Sequence, residues 1–233
     1  VAECIKFENR SFFSKINLKN KNVIEFGCGV FPATFGIENE NMPNIYVACD
    51  VSQKLINVAK KVDSRPDYKV LDLEKKIASK YKNKFNVVIL KGVLHHVKFP
   101  AVVLKKVSRT LKKDGVIIVS EPNLSSVIGN LAKWFLSFFF KISMEDSPYE
   151  QLKQVKIKQS IRKSNMRIIN EWYTSLITFP LTGDYGRKPI LPDNRSLFKL
   201  LIFLEQIFSF VLNKFIFFAK ISHFKVNFII KKN

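Results

Sequence analysis

Four residues between positions 25 and 50 have the types and spacing to hold a nucleoside. Glu25 lies near the end of an apolar run, Val23–Phe26, and Gly27 and Gly29 follow it at alternate positions. Asp50 closes a second short run, Ile45–Cys49. Glycines let a backbone pass close to a ligand, and an acid at the end of the second strand accepts hydrogen bonds from ribose hydroxyls. The chemistry expected is binding of an adenosine-containing cofactor. A dinucleotide site would want a third glycine at the sixth position of the turn. Counted from Gly27 that position is Pro32, which cannot give close helix–strand packing.

The elements that must carry these residues alternate between strand and helix signals, which argues for parallel βαβ units. The expected strands are Val23–Phe26, Ile45–Cys49, Tyr68–Leu71 ending in Asp72, Asn86–Leu90 and Val116–Ser120. Pro32–Glu40 is expected to hold a loop and helix, and Gln53–Lys61 a helix with Ser52 as its N-cap. Ala101–Leu111 has Val103, Leu104, Val107 and Leu111 at helical spacing, and Asp114–Gly115 is expected to turn the chain into the fifth strand. The whole reads as an α/β, Rossmann-like, mostly parallel seven-stranded sheet with helices on both faces and a helical cap. It would form one domain over 1–233, with a cofactor-binding core at 22–123.

The second half changes character, holding 14 of the 22 phenylalanines. Leu131–Ile142 is densely aromatic, Glu150–Ser164 reads as a polar helix, and Met166–Tyr173 as a sixth strand. Prolines and glycines from Pro180 to Pro192 mark an irregular segment. Ser196–Ile221 reads as one long amphipathic helix with Lys199, Gln206, Ser209, Asn213 and Lys220 on a polar stripe. Residues 124–222 are thus expected to form an aromatic-rich helical substrate region, and 223–233 the last strand. Neither aromatic segment supplies the roughly 20 uninterrupted apolar residues of a membrane span.

The net charge is +20, with 22 basic and 12 acidic residues in 1–123 and 17 and 7 in 124–233. So even a distribution is weaker evidence for a dedicated nucleic-acid surface than a clustered stripe would be, and reads first as solvated lysine on helix faces. Three cysteines without metal spacing, and only His95, His96 and His223, argue against a zinc site and for a reducing compartment. The chain opens on Val and shows no apolar run with a cleavage site there, so a secreted protein is not expected. The expected location is cytoplasmic, with the inner face of a membrane as the alternative.

Five blocks decide the cofactor class. VIEFGCG, YVACDVSQKLINVAKK, YKVLDLEK, FNVVILKGVLHHV and LKKDGVIIVSEPN stand in order over Val23–Asn123. Together they resemble class I S-adenosylmethionine-dependent methyltransferases, of the small-molecule or lipid type with paired histidines after the fourth strand. The resemblance implies S-adenosyl-L-methionine as cofactor, with Glu25 near its amino group and Gly27, Cys28 and Gly29 beneath it. It implies Asp50 and Val51 at the ribose, and Asp72 and the Leu73 amide at the adenine. Lys91 and Gly92 would line the floor near the sulfonium. The chain departs from many members by placing Phe31, followed by Pro32, where they have a third glycine, which would narrow the methionine end.

Methyl transfer to an oxygen or an enolised carbon also needs a base. His96 is the first candidate and His95 the second, with Glu121 behind them, since histidine titrates near neutrality. The aromatic second half suggests a small hydrophobic acceptor such as a lipid, a quinone or a lipid-linked sugar, with peripheral membrane contact. Transfer to tRNA or another RNA, and a non-catalytic partner subunit with the same fold, are the alternatives.

Overall fold

Alternation along the central strands builds one sheet with two covered faces. On β1 (Asn22–Phe26) Ile24 and Phe26 belong to one apolar layer and Val23 to the other, so Glu25 shares the Val23 face. The computed structural model describes residues 2–75, 77–140, 154–178 and 194–233. Its remaining strands are β2 (Ile45–Asp50), β3 (Asp67–Val70), β4 (Phe85–Lys91), β5 (Leu111–Pro122), β6 (Met166–Thr174) and β7 (Lys225–Lys232). The sheet order is β3-β2-β1-β4-β5-β7-β6, with β7 antiparallel to both neighbours and the first five strands parallel. This is the expected mostly parallel seven-stranded sheet.

Helices α1 (Ala2–Phe12) and α2 (Gln53–Val62) cover one face, through Phe12, Ile56 and Ala59. Helices α3 (Pro100–Val107) and α5 (Gln154–Lys163) cover the other, through Leu104, Ile157 and Ile161. The Ser52 hydroxyl accepts from the Leu55 amide at 3.3 Å, the N-cap expected for α2. Helix α4 (Val127–Phe140) follows β5, and α6 (Arg195–Leu212) and α7 (Ile216–Ser222) precede β7. Among the described residues no helix is long and apolar enough to cross a membrane.

Three local expectations fail. No α-helix follows β1, where residues 32–41 form turns and one short 3-10 segment. Side chains hold that loop instead. Asn9 Nδ2 donates to the Phe35 carbonyl at 2.8 Å, and Arg65 donates to the Thr34 and Ile37 carbonyls while paired with Asp63. Asp114–Gly115 does not turn a helix into a strand, because β5 already begins at Leu111. The pairing jumps from Phe85↔Leu111 to Val87↔Val116, so residues 112–115 form a bulge. The long apolar helix breaks at 213–215 into α6 and α7. Asn213 leaves the helical run there to bond both the amide and the carbonyl of Tyr173 on edge strand β6, each at 3.0 Å. The irregular 180–192 segment, and 141–142 and 150–153 of the two helical segments, lie outside the described residues.

Candidate active site

The carboxyl ends of β1, β2, β4 and β5 surround a cavity of about 590 Å³. Strand order reverses between β1 and β4, the crevice where open α/β sheets take ligands. All the residues proposed from sequence line it: Glu25, Gly27, Cys28, Gly29, Asp50, Val51, Asp72, Leu73, Lys91, Gly92, His95 and His96. Its size falls within the range of small-molecule and cofactor sites.

The β1 turn is built on two left-handed glycines. Gly27 has φ +73°, and its amide and that of Cys28 both donate to the Cys49 carbonyl, at 2.7 and 2.9 Å. A Cβ on Gly27 would stand 2.6 Å from Val93 Cγ2, whereas a Cβ on Gly29 (φ +56°) would meet nothing within 4 Å. These two positions therefore fail differently when mutated. Gly27→Ala is expected to cost about 1–3 kcal/mol of stability, through overlap with Val93 and the backbone penalty. Gly29→Ala is expected to cost only about 1 kcal/mol of backbone strain but to put a methyl on the cavity floor. Thermal unfolding alongside calorimetric titration checks this. Gly29→Ala should lower the affinity for S-adenosylhomocysteine at least about tenfold with a small fall in Tm. Unchanged affinity would remove Gly29 from the binding floor.

Asp50 is buried at the end of β2, and its two oxygens organise the turn. Oδ2 accepts from the Gly29 amide at 3.0 Å and Oδ1 from the Ser52 amide at 2.9 Å. Each oxygen keeps a further lone pair, so the carboxylate can also accept from a pair of hydroxyls. Val51, Leu55, Leu71 and Leu73 form an apolar slot beside it, and Asp72, partly exposed, lies at the slot's edge. Phe31 lines the cavity as expected and leans on Phe35, ring centres 5.5 Å apart.

Glu25 is fully enclosed, and its oxygens accept from the Ala33 amide at 3.0 and 3.2 Å and the Tyr46 hydroxyl at 2.6 Å. Burial pushes its carboxyl up to about 7, against the pull of Tyr46 and Ala33. A carboxyl raised in the folded state holds its proton there over pH values at which the unfolded chain has lost it. Stability therefore falls as pH rises from near 4.5 toward 7, by up to about 1.4 kcal/mol per pH unit. Urea unfolding of the ligand-free protein at pH 5 and pH 7 should show this loss, and Glu25→Gln should flatten it. An equally steep loss in the variant would assign it elsewhere. Burial, reinforced by Glu25 and Asp50, pushes the Cys28 thiol far up, so Cys28 serves as inert filler.

On the opposite wall, β4 and β5 carry a second cluster. Glu121 is 1% exposed; its Oε1 accepts from the Val93 and Leu94 amides at 3.0 and 2.7 Å, and its Oε2 lies 2.6 Å from His95 Nδ1. His96 is exposed, with its ring centre 4.0 Å from that of His95. The structure thus ties His95, the second-ranked histidine, to a buried carboxylate. The Glu121–His95 pairing is a link that the sequence reading did not make.

Helix α1 buttresses two lining lysines, a support that sequence reading missed altogether. Lys91 Nζ donates to Asn9 Oδ1 at 2.5 Å, and Lys225, which also lines the cavity, donates to Glu8 Oε2 at 2.8 Å. Burial alone would raise the Glu8 carboxyl, yet Lys225 and Lys91 hold it below the usual range. Among the described residues no group of three or more His, Cys, Asp or Glu side chains could hold a metal.

Comparison with known proteins agrees with this geometry. A family described as a methyltransferase domain matches residues 17–175. The ubiquinone biosynthesis O-methyltransferase of Pelagibacter ubique (strain HTCC1062) is 33% identical over 113 residues, 46% of this chain and 44% of that protein. The chain thus spans less than half the length of this curated relative. Among solved structures, an S-adenosylmethionine-dependent methyltransferase from Mesorhizobium loti superposes with a TM-score of 0.59 at 11% identity, covering 97% of this chain and 98% of that one. Another from Archaeoglobus fulgidus gives 0.61 at 12% identity, over 100% and 95%. At such identities the structural likeness establishes the fold, while the family match spans more than half of the chain. The chain belongs to the methyltransferase-domain family, and its sheet has the fold of these S-adenosylmethionine-dependent methyltransferases.

Proposed function

We propose that this enzyme methylates a hydroxyl oxygen of a small hydrophobic or lipid-linked acceptor, met at the inner face of a membrane, with His95 as the base. The observation that carries the reading is the His95–Glu121 pair on the wall of the cavity. The O-methyltransferase named in the curated relative supports an oxygen acceptor.

The residues present fit the cofactor: an open floor at Gly29, a buried carboxylate at Asp50 and an apolar slot beside it. Asp50 would hold the ribose hydroxyls and Val51 would flank them. Asp72 would meet the adenine amino group, with the Leu73 amide at a ring nitrogen. Gly27, Cys28 and Gly29 would lie beneath the cofactor, and Lys91 and Gly92 at the methionine end. Glu25, its oxygens engaged by Tyr46 and Ala33, would shape the turn below the amino group. When bound, the cofactor supplies an activated methyl group.

The chain's own residues then do two things. The enclosing walls align the acceptor and keep water out. Glu121 accepts a hydrogen bond from the Nδ1–H of His95, which leaves the Nε2 lone pair to take the hydroxyl proton. The aromatic-rich region 124–222 would contribute the acceptor side.

The test is release of S-adenosylhomocysteine with a panel of hydroxylated aromatics and quinone precursors, with and without apolar tails. Turnover that rises with tail length supports the reading. Methylation confined to nitrogen, or to RNA, would overturn it.

A further inference from the structure

Helix α6 turns one side inward and leaves a broad apolar side facing solvent. Phe198, Ile202, Glu205, Ser209 and Leu212 share the inner side, where Phe198 and Glu205 are buried and Ser209 meets His223. The opposite side carries Leu200, Phe203, Ile207, Phe210 and Val211, all exposed, with Phe210 at 68%. Of the five residues expected on one polar stripe, Lys199 and Gln206 lie between the two sides, whereas Ser209 turns inward and Asn213 and Lys220 fall beyond α6. Large apolar side chains gathered on one exposed side of a helix mark an interaction surface.

The neighbouring helices extend this surface. Helix α7 packs between α4 and α6 and exposes Ile216, Phe217 and Phe218, with Phe217 at 66%. On α4, Val127, Leu131, Trp134 and Phe138 recur at helical spacing and are exposed, the Trp134 and Phe138 rings stacking at 5.6 Å. Exposed large apolar side chains on three adjoining helices mark an interaction site.

Its charge selects the partner. Over residues 195–222 the basic residues are Arg195, Lys199, Lys214 and Lys220, and all four are exposed. The one acid, Glu205, is 2% exposed and turned inward, accepting from the Leu176, Ile177 and Thr178 amides. This stretch therefore offers solvent only apolar, polar and positive groups. A protein partner's surface would usually mix charges, whereas an anionic bilayer presents apolar depth beneath a sheet of negative charge. Aromatic rings beside lysines suit that boundary.

We propose that α4, α6 and α7 form the face on which this enzyme docks to an anionic lipid bilayer. The face stands beside the cavity. Pro122 and Lys225 pair across β5 and β7, and both line the cavity, with α4 beginning just after the first and α7 ending just before the second. Asn123 ties the two exits together, donating to the Lys220 and His223 carbonyls at 2.7 and 2.8 Å. As the route by which the acceptor arrives, docking rests on the lipid-linked reading above; as a binding event it does not.

The experiment is sedimentation of the full chain with vesicles of phosphatidylglycerol and phosphatidylcholine, or of phosphatidylcholine alone, without acceptor. Binding is expected on the anionic vesicles, weakening as salt rises. Combined Phe203→Ser, Ile207→Ser and Phe210→Ser should reduce it at least about tenfold, and combined Lys199→Gln, Lys214→Gln and Lys220→Gln roughly fivefold per lysine. Both variants should bind S-adenosylhomocysteine as the wild type does, which shows that they fold. No sedimentation, equal sedimentation with both vesicles, or wild-type sedimentation of the serine variant would each overturn docking by this face. So would a dimer that the serine variant abolishes in a protein that ignores vesicles, since a second copy would then cover the face. Vesicle binding with no turnover of any tailed acceptor would leave docking intact and remove the acceptor reading.

Discussion

Replacement of Asp50 with alanine is expected to abolish measurable binding of S-adenosylhomocysteine by a protein that still folds. The carboxylate does two jobs at once. It would accept charge-assisted bonds from the ribose hydroxyls, each worth about 1.5–3 kcal/mol, so losing two corresponds to roughly a hundredfold to ten-thousandfold in affinity. It also fixes the Gly29 and Ser52 amides, at 3.0 and 2.9 Å, and so sets the course of the turn beneath the cofactor. Asp50→Asn separates the two jobs. Its amide oxygen still accepts one backbone N–H, but its nitrogen cannot accept from a hydroxyl. An intermediate loss, about tenfold or more, is therefore expected for asparagine. Calorimetric titration of both variants, with circular dichroism to confirm folding, decides this. Wild-type affinity in Asp50→Ala would move the ribose site elsewhere.

The cofactor side was legible in the sequence because its determinants are local. Gly27, Gly29, Asp50 and Asp72 each sit at or just past the end of a short apolar run, and parallel strands bring such ends to one edge of the sheet. What escaped depends on contacts distant in the chain. Glu8 and Asn9 of α1 hold the lining residues Lys225 and Lys91 by bonds across 217 and 82 positions, and no local pattern announces such pairings. The missing helix after β1 escaped for a related reason: Asn9 and Arg65, remote in sequence, bond the carbonyls that a helix would have satisfied internally. The break in the α6–α7 segment follows from Asn213 serving Tyr173, a strand residue that helical periodicity cannot see. The Glu121–His95 pair stood closer to view. Lys91 pairs with Ser120 across β4 and β5, so the residues that follow must lie side by side once the two strands are recognised as neighbours.

That pair carries the second large expectation: His95→Ala should lower turnover roughly a hundredfold to ten-thousandfold, the usual worth of a positioned base, with cofactor affinity unchanged. His96→Ala should cost less than about tenfold, since His96 is exposed while His95 is the histidine held by buried Glu121. Glu121→Gln is the more informative variant. The glutamine oxygen can still accept from the Val93 and Leu94 amides, which preserves the turn after β4. Its amide nitrogen, facing His95 Nδ1, can only donate, so the imidazole must place its proton on Nε2 and loses the lone pair that the acceptor needs. Glu121→Gln should then approach His95→Ala in turnover while unfolding at nearly the wild-type temperature. The double variant should be no slower than His95→Ala alone, because the glutamate acts through the histidine. Additive losses would show Glu121 acting on its own. A Glu121→Gln enzyme with wild-type turnover would leave the cavity's base to be found at His96.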